Sequence, residues 1–78
     1  MRGALISVIR YDGDKGGERP RSFEFAGKTI DVIEITTMYI EEDRDDRSRR
    51  RYFRTKGSDG REYCLVEDER TQAWYVVE

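Results

Sequence analysis

Hydrophobic and polar residues follow a short-period pattern along most of the chain. Residues 22–25 alternate strictly, which places Phe23 and Phe25 on one face of an extended segment. Similar runs of β-branched and aromatic residues recur between clusters of turn-forming residues, and this pattern is typical of β-strands. The predicted strands span residues 5–11, 20–25, 28–40, 50–56, 62–67 and 73–77.

The third predicted strand changes phase along its length. Ile30 and Val32 lie on one face of an extended chain, whereas Ile33 and Ile35 lie on the other. A strand with a period of two residues changes faces in this way only where its register slips. The pattern therefore predicts a β-bulge or a sharp bend near Val32 and Ile33.

Short connections join the six predicted strands, which favours antiparallel pairing between neighbours. The turn signals are Asp12 to Gly17, Ala26-Gly27, Ser58 to Gly60 and Asp68 to Thr71. The fold predicted is all-β: an antiparallel meander of five to six strands forming an SH3-like barrel or a strongly twisted sheet. The 78 residues form one domain, residues 1–78. The predicted core consists of Leu5, Phe23, Phe25, Ile30, Val32, Ile35, Phe53, Tyr63, Leu65, Trp74 and Val76.

The composition places the chain among small domains without stabilising cross-links. Hydrophobic residues make up 36% of the chain and charged residues 41%, so the aromatic residues must supply much of the core. Cys64 is the only cysteine, which excludes an intrachain disulfide. The apolar run at residues 4–9 is too short for a signal peptide or a membrane span. We therefore expect a cytoplasmic protein with no membrane contact.

The residues needed for most catalytic sites are missing or are better explained by turns. The chain contains no histidine, the usual general base, metal ligand and partner of a nucleophile. Gly27-Lys28-Thr29 resembles the end of a phosphate-binding loop but lacks the preceding glycine, because Ser22 occupies that position. Asp12-Gly13-Asp14 lacks the glutamate that would complete a calcium loop. We predict no catalytic residue, no metal site and no cofactor.

Charge is strongly segregated in the second half of the chain. Residues 41–46 hold five acids and one arginine, and this run is predicted to be a solvated loop extending to Ser48. Residues 47–56 hold six basic residues and no acid. Arginine pairs well with phosphate or carboxylate, and a tyrosine can offer a stacking face. The candidate binding residues are Arg47, Arg49, Arg50, Arg51, Tyr52, Arg54 and Lys56.

Two stretches resemble a family of small bacterial all-β domains of unknown function. The first runs from Arg19-Pro20 through Phe23, Phe25 and Gly27-Lys28 to the β-branched residues ending at Val32. The second comprises Gly60 to Leu65, Asp68 and Trp74 to Val76. The resemblance spans about residues 19–77 and implies a bacterial β-domain, without implying an activity or a catalytic residue.

These observations favour a noncatalytic interaction module of bacterial type, with the basic strand as its contact surface. A protein partner is the first expectation, and a nucleic-acid-binding accessory domain using the same residues is the alternative. A third interpretation is that the acids at 41–46 neutralise the neighbouring arginines, which would then be ordinary surface charge. The oligomeric state is left open by the sequence.

Overall fold

The computed structural model describes residues 3–10, 19–45 and 47–77, with the side chain of Arg10 excepted. Tyr11, the turn signal at residues 12–17 and the acidic residue Asp46 lie outside the described residues. No helix occurs in the described part of the chain, and hence none long and apolar enough to cross a membrane. The strands are β1 (Gly3–Arg10), β2 (Pro20–Phe25), β3 (Lys28–Glu42), β4 (Arg49–Gly57), β5 (Glu62–Asp68) and β6 (Ala73–Val77).

The six strands form a closed antiparallel barrel in chain order. Each strand pairs with the next, and β1 closes the barrel by changing partners along its length. Residues Gly3 to Ile6 pair with β6, and residues Ser7 to Arg10 pair with β2. The prediction of an all-β barrel built as an antiparallel meander is confirmed. Closure leaves fewer unpaired strand edges than an open sheet would.

Two of the tight turns have the geometry that their residues predict. Ala26 and Gly27 both adopt positive φ angles of 53° and 76°, as a two-residue hairpin requires. After β4, Gly60 has a φ of 82° and its amide donates to the carbonyl of Gly57 over 3.0 Å. The Ser58 amide donates to the Asp31 carbonyl, which ties this second turn to β3.

Strand β3 contains the predicted irregularity and a second one. Its register against β4 shifts between Val32 and Glu34, at the position that the phase change predicted, and again between Ile35 and Thr37. Pairing with β2 involves only Lys28 to Asp31. Within the described residues, β3 from Val32 to Glu42 pairs only with β4. This segment of β3 and its partner segment of β4, residues 32–42 with 49–57, is called the β3–β4 arm below; on its other side β4 pairs with β5.

The barrel interior is filled mainly by the aromatic and aliphatic residues that the alternation placed there. Phe53 stacks against Trp74 with 5.5 Å between ring centroids, and Phe23 meets Tyr63 edge-on at 5.1 Å. The buried part of the predicted core comprises Phe23, Ile30, Phe53, Leu65, Trp74 and Val76. The remaining predicted core residues except Leu5 are partly buried against it, namely Phe25, Val32, Ile35 and Tyr63.

The prediction for Leu5 is wrong. Its side chain is 71% exposed, and Ile6 enters the core instead. Residues 4–6 are apolar without alternation, so only the partner strand determines which side chain points inward. Ile6 lies opposite the buried Trp74, whereas Leu5 lies opposite Tyr75 on the outer face.

The predicted boundary between β3 and the acidic loop is also wrong. Glu41 and Glu42 belong to β3, where they lie opposite Arg50 and Arg49 of β4. Opposite charges on directly facing strand positions favour continued pairing. The acidic run that begins at Glu41 is therefore divided between the end of β3 and a shorter connection to β4.

Candidate interaction surface on strands β3 and β4

Strand alternation distributes the candidate binding residues over both faces of β4. Phe53 and Thr55 are buried within the barrel, so the odd-numbered positions point inward and the even-numbered positions point outward. Arg49 and Arg51 therefore lie on the inner face. The outer face carries Arg50, Tyr52, Arg54 and Lys56. Arg47 precedes β4 with a φ of 58° and is exposed.

Arg51 is committed to an ion pair on the inner face. Its Nε donates to Glu67 Oε1 over 2.7 Å, and Nη2 also contacts that oxygen. The two side chains are only 13% and 5% exposed. The guanidinium also lies 5.5 Å from the centre of the Phe53 ring, a cation–π distance. Such a buried ion pair is part of the barrel structure and leaves little of the Arg51 guanidinium accessible to a ligand.

Carboxylates also face Arg49 and Arg50. Arg49 Nε lies 3.5 Å from Glu69 Oε2, and Arg50 Nη1 lies 3.6 Å from Glu41 Oε1. A hydrogen bond with the Tyr52 hydroxyl, followed by smaller contributions from nearby charges, raises the pKa of the Arg50 guanidinium. The interpretation that the acids at 41–46 neutralise the arginines agrees with the Arg50–Glu41 contact, whereas the acids facing Arg49 and Arg51 lie outside that run. Exposed ion pairs of this kind are weak, so they reduce the local positive charge without fixing the arginine side chains in place.

Each cation on the outer face of β4 lies between one residue of β3 and one residue of β5. The flanking residues of one cation differ in charge from those of the others. Lys56 lies between Glu34 of β3 and Glu62 of β5. Arg54 lies instead between Thr37 and Cys64, both uncharged. The Arg54 charge therefore faces no acid across the strands and remains the best placed of the outer cations to contact a partner.

Tyr52 does not present its ring to solvent. The side chain is 5% exposed, and its ring stacks on that of Tyr39 with 4.6 Å between centroids and 4° between planes. Burial is the largest cause of the raised pKa of its hydroxyl. The exposed aromatic side chain on this face is Tyr39, at 52%, which sequence reasoning did not select.

Exposed apolar side chains are concentrated on the arm. Met38 and Ile40 lie on the inner side of β3, beyond the part of the strand that the barrel covers, and both are exposed. Ile33 is exposed at the first register shift. The sequence signal for this exposed apolar surface is the run of three apolar residues from Met38 to Ile40, because such a run is apolar on both faces of a strand.

Two further groups in the described residues bear on possible chemistry, the Cys64 thiol and the Asp59 carboxylate. Cys64 is half-buried on the outer face of β5, and burial raises the pKa of its thiol. This shift disfavours the thiolate that a nucleophile requires. The Asp59 carboxylate in the β4–β5 turn accepts a hydrogen bond of 2.5 Å from the hydroxyl of Tyr63 in β5. Among the residues described, no three metal-ligating side chains are grouped to hold an ion.

A cleft lies away from the basic strand. It has a volume of about 630 Å³ and opens where β1 leaves β6 to pair with β2, with Glu24, Gln72 and Trp74 among its lining residues. None of the candidate binding residues lines this cleft. The candidate surface therefore consists of the β3–β4 arm, with Tyr39, Arg54 and the exposed apolar residues of β3. Comparison of the chain with protein-family models, with curated proteins and with solved structures found no match.

Proposed function

We propose that the protein is a noncatalytic, cytoplasmic interaction module of bacterial type that binds a protein partner through the β3–β4 arm. One observation carries this proposal. Over the described residues, β3 from Val32 to Glu42 pairs on one side only, and this segment also bears exposed Ile33, Met38, Tyr39 and Ile40.

An unpaired strand edge is a natural site for a protein ligand. Every second residue along it directs its amide and carbonyl away from the existing neighbour, and an extended segment can use these groups to join the sheet. Proteins usually protect such edges with charges, prolines or a covering segment. The residues from Thr36 to Ile40 include no charge and no proline, so this part of the edge lacks the protection that such residues give. Exposed apolar side chains on both faces of this edge strand likewise favour a partner.

The charge distribution favours a protein over a nucleic acid. Arg49, Arg50 and Arg51 each have a carboxylate within ion-pairing distance. A nucleic acid gains most of its affinity from cations that are available to phosphates, and here those cations face acids. Arg54 and the exposed ring of Tyr39 would still offer one phosphate contact and one stacking contact. This pair supports the nucleic-acid alternative.

Affinity capture with matched variants tests the proposal. Tagged wild-type protein should retain a specific partner, and Ile40→Lys should lose it because a charge then lies in the apolar contact. Leu5→Lys is the control, since it introduces the same charge at another exposed aliphatic position on the outer face of β1. Equal capture by the wild type and Ile40→Lys would show that the arm is not the contact surface.

A further inference from the structure

We propose that the partner of the arm is a second copy of the same chain, joined by antiparallel pairing of the two β3 edges around a two-fold axis at Tyr39. This inference rests on the proposed function, since it names the occupant of that same surface. In a two-fold arrangement each contact occurs twice, so the edge must be complementary to itself. The direction of the Tyr39 ring, the apolar residues along the edge and the charges beside it all agree with this requirement.

The first argument is the direction of the Tyr39 ring. Its plane is parallel to that of Tyr52, and the 4.6 Å between the centroids is close to the spacing of adjacent strands, about 4.8 Å. The stacking direction therefore runs across the strands. One face of Tyr39 contacts Tyr52 on β4, and the other is directed toward the edge of β3 that no described residue pairs with. A strand added there would place its own side chain against that face.

A second copy supplies a matching ring at that position. With the axis at Tyr39, this residue lies opposite Tyr39 of the other copy, and the rings of Tyr39 and Tyr52 from both chains form one stack. Aromatic pairs on directly facing strand positions are among the favourable cross-strand pairs. The stack would cover the largest exposed aromatic surface of the arm.

The same register matches the apolar residues on the inner side of β3. Met38 of each copy lies opposite Ile40 of the other. Both side chains are exposed in the single chain and would be buried together in the pair. Removing apolar surface from water is the main favourable contribution to such an association.

Charge further distinguishes this register from its neighbours. Glu41 of one copy lies opposite Thr37 of the other, next to Arg54, the outer cation that faces no acid across the strands of its own chain. Moving the axis to Met38 would instead bring Glu34 of each copy opposite Glu42 of the other, and facing like charges are destabilising. Moving it to Ile40 would place Glu41 against the Tyr39 ring.

The association state of the purified chain tests this proposal. Sedimentation equilibrium over a wide concentration range should show a reversible dimer. Ile40→Lys should weaken dimerisation about a hundredfold, because the charge enters the contact twice and each position costs about 1.4 kcal/mol. Leu5→Lys should dimerise like the wild type, and circular dichroism checks that both variants are folded. A chain that is monomeric at every concentration would overturn the proposal, as would a dimer that Ile40→Lys leaves unchanged.

A cysteine placed on the axis tests the register itself. In a Cys64→Ser background, Tyr39→Cys should form an intermolecular disulfide on mild oxidation, because facing Cα atoms in a sheet lie within disulfide range. Thr37→Cys in the same background is the control, since residue 37 lies opposite residue 41 and the two cysteines are too far apart. Equal cross-linking of both variants, or none of Tyr39→Cys, would contradict the register.

The outcome for the dimer can be separated from that for the proposed function. If the chain is monomeric but loses a captured partner on Ile40→Lys, the second copy is the wrong occupant while the arm remains the contact surface. If the chain is monomeric and Ile40→Lys captures the same partner as the wild type, both proposals are wrong.

Discussion

Arg51 Nε donates a hydrogen bond to Glu67 Oε1 over 2.7 Å, on the inner face of β4 and β5. Phe53 lies beneath the guanidinium, and Trp74 occupies the position opposite Glu67 on β6. The most central arginine of the basic segment is thus part of the barrel. Arg54, three residues along the same strand, lies on the outer face between uncharged neighbours. Two arginines that are equivalent in the sequence therefore have different structural roles.

Replacing these two arginines should have unequal effects on stability. Arg51→Ala leaves the Glu67 carboxylate buried without its charged partner, which typically costs about 3 kcal/mol. Arg54→Ala removes an exposed side chain and should change the free energy of unfolding by no more than about 0.5 kcal/mol. Urea denaturation of both variants measures the difference. Equal losses of stability would mean that the Arg51–Glu67 pair contributes no more than surface charge.

Trp74 should be essential to a core of this size. It is buried against Phe53, and Trp74→Ala would remove one wall of the barrel interior. We expect a loss of about 3–5 kcal/mol, enough to unfold a small domain. Leu5→Ala, which truncates an exposed residue, should cost less than about 0.5 kcal/mol. Chemical denaturation followed by circular dichroism compares the two variants, and Trp74 fluorescence gives a second probe for Leu5→Ala. An unchanged denaturation midpoint for Trp74→Ala would contradict the core described.

Local sequence patterns were sufficient for much of the barrel. The placement of Phe23 and Phe25 against the core and the phase change at Val32 and Ile33 are direct consequences of two-residue periodicity, and the structure confirms both, although Ser22 is buried as well. Leu5 was misassigned because residues 4–6 are apolar on both faces. In such a run the register with β6 decides which side chain is buried, and that register involves residues about 70 positions away along the chain.

The candidate surface could be predicted from the sequence only in part. A run of arginines indicates positive charge but not which acids face it, since Glu67 and Glu69 are brought to Arg51 and Arg49 by the pairing of β4 with β5. The exposure of Tyr39 depends on β2 leaving β3 after Asp31. Both features are set by long-range strand pairing, which a single sequence does not specify.

The Asp59–Tyr63 hydrogen bond should make stability depend on pH at both extremes. The bond lowers the pKa of Asp59 below its ordinary 3.8, so its contribution is present above that pH and is lost as pH falls through the folded-state pKa. It raises the pKa of Tyr63 above 10.0, so its contribution is present below pH 10 and is lost as pH rises through the folded-state pKa.

Asp59→Asn tests this dependence, with Glu62→Gln as an exposed control on the following strand. Melting temperatures across the pH range should lose part of their acid and alkaline dependence in Asp59→Asn only. The absorbance titration of Tyr63 should also move toward the ordinary tyrosine range in that variant. Identical pH profiles for the wild type and Asp59→Asn would show that the bond has no energetic role.

Oligonucleotide binding should be weak. With three arginines facing carboxylates, we expect single- and double-stranded oligonucleotides to bind no more tightly than about 10⁻⁴ M at physiological salt. Fluorescence anisotropy at two salt concentrations measures this. Micromolar affinity that decreases steeply with salt and is lost on Arg54→Ala would instead support the nucleic-acid alternative.

Residue-resolved amide hydrogen exchange of β3 tests the central claim most directly, because it observes the edge that pairs with no other described strand. If a second copy joins that edge, the outward-facing amides between residues 36 and 42 should become more protected as the concentration of wild-type protein rises. In Ile40→Lys the same change should require about a hundredfold higher protein concentration. Amides of β5 that exchange by local opening should be unaffected in either protein. Protection along β3 that does not depend on concentration in the wild type would contradict the account.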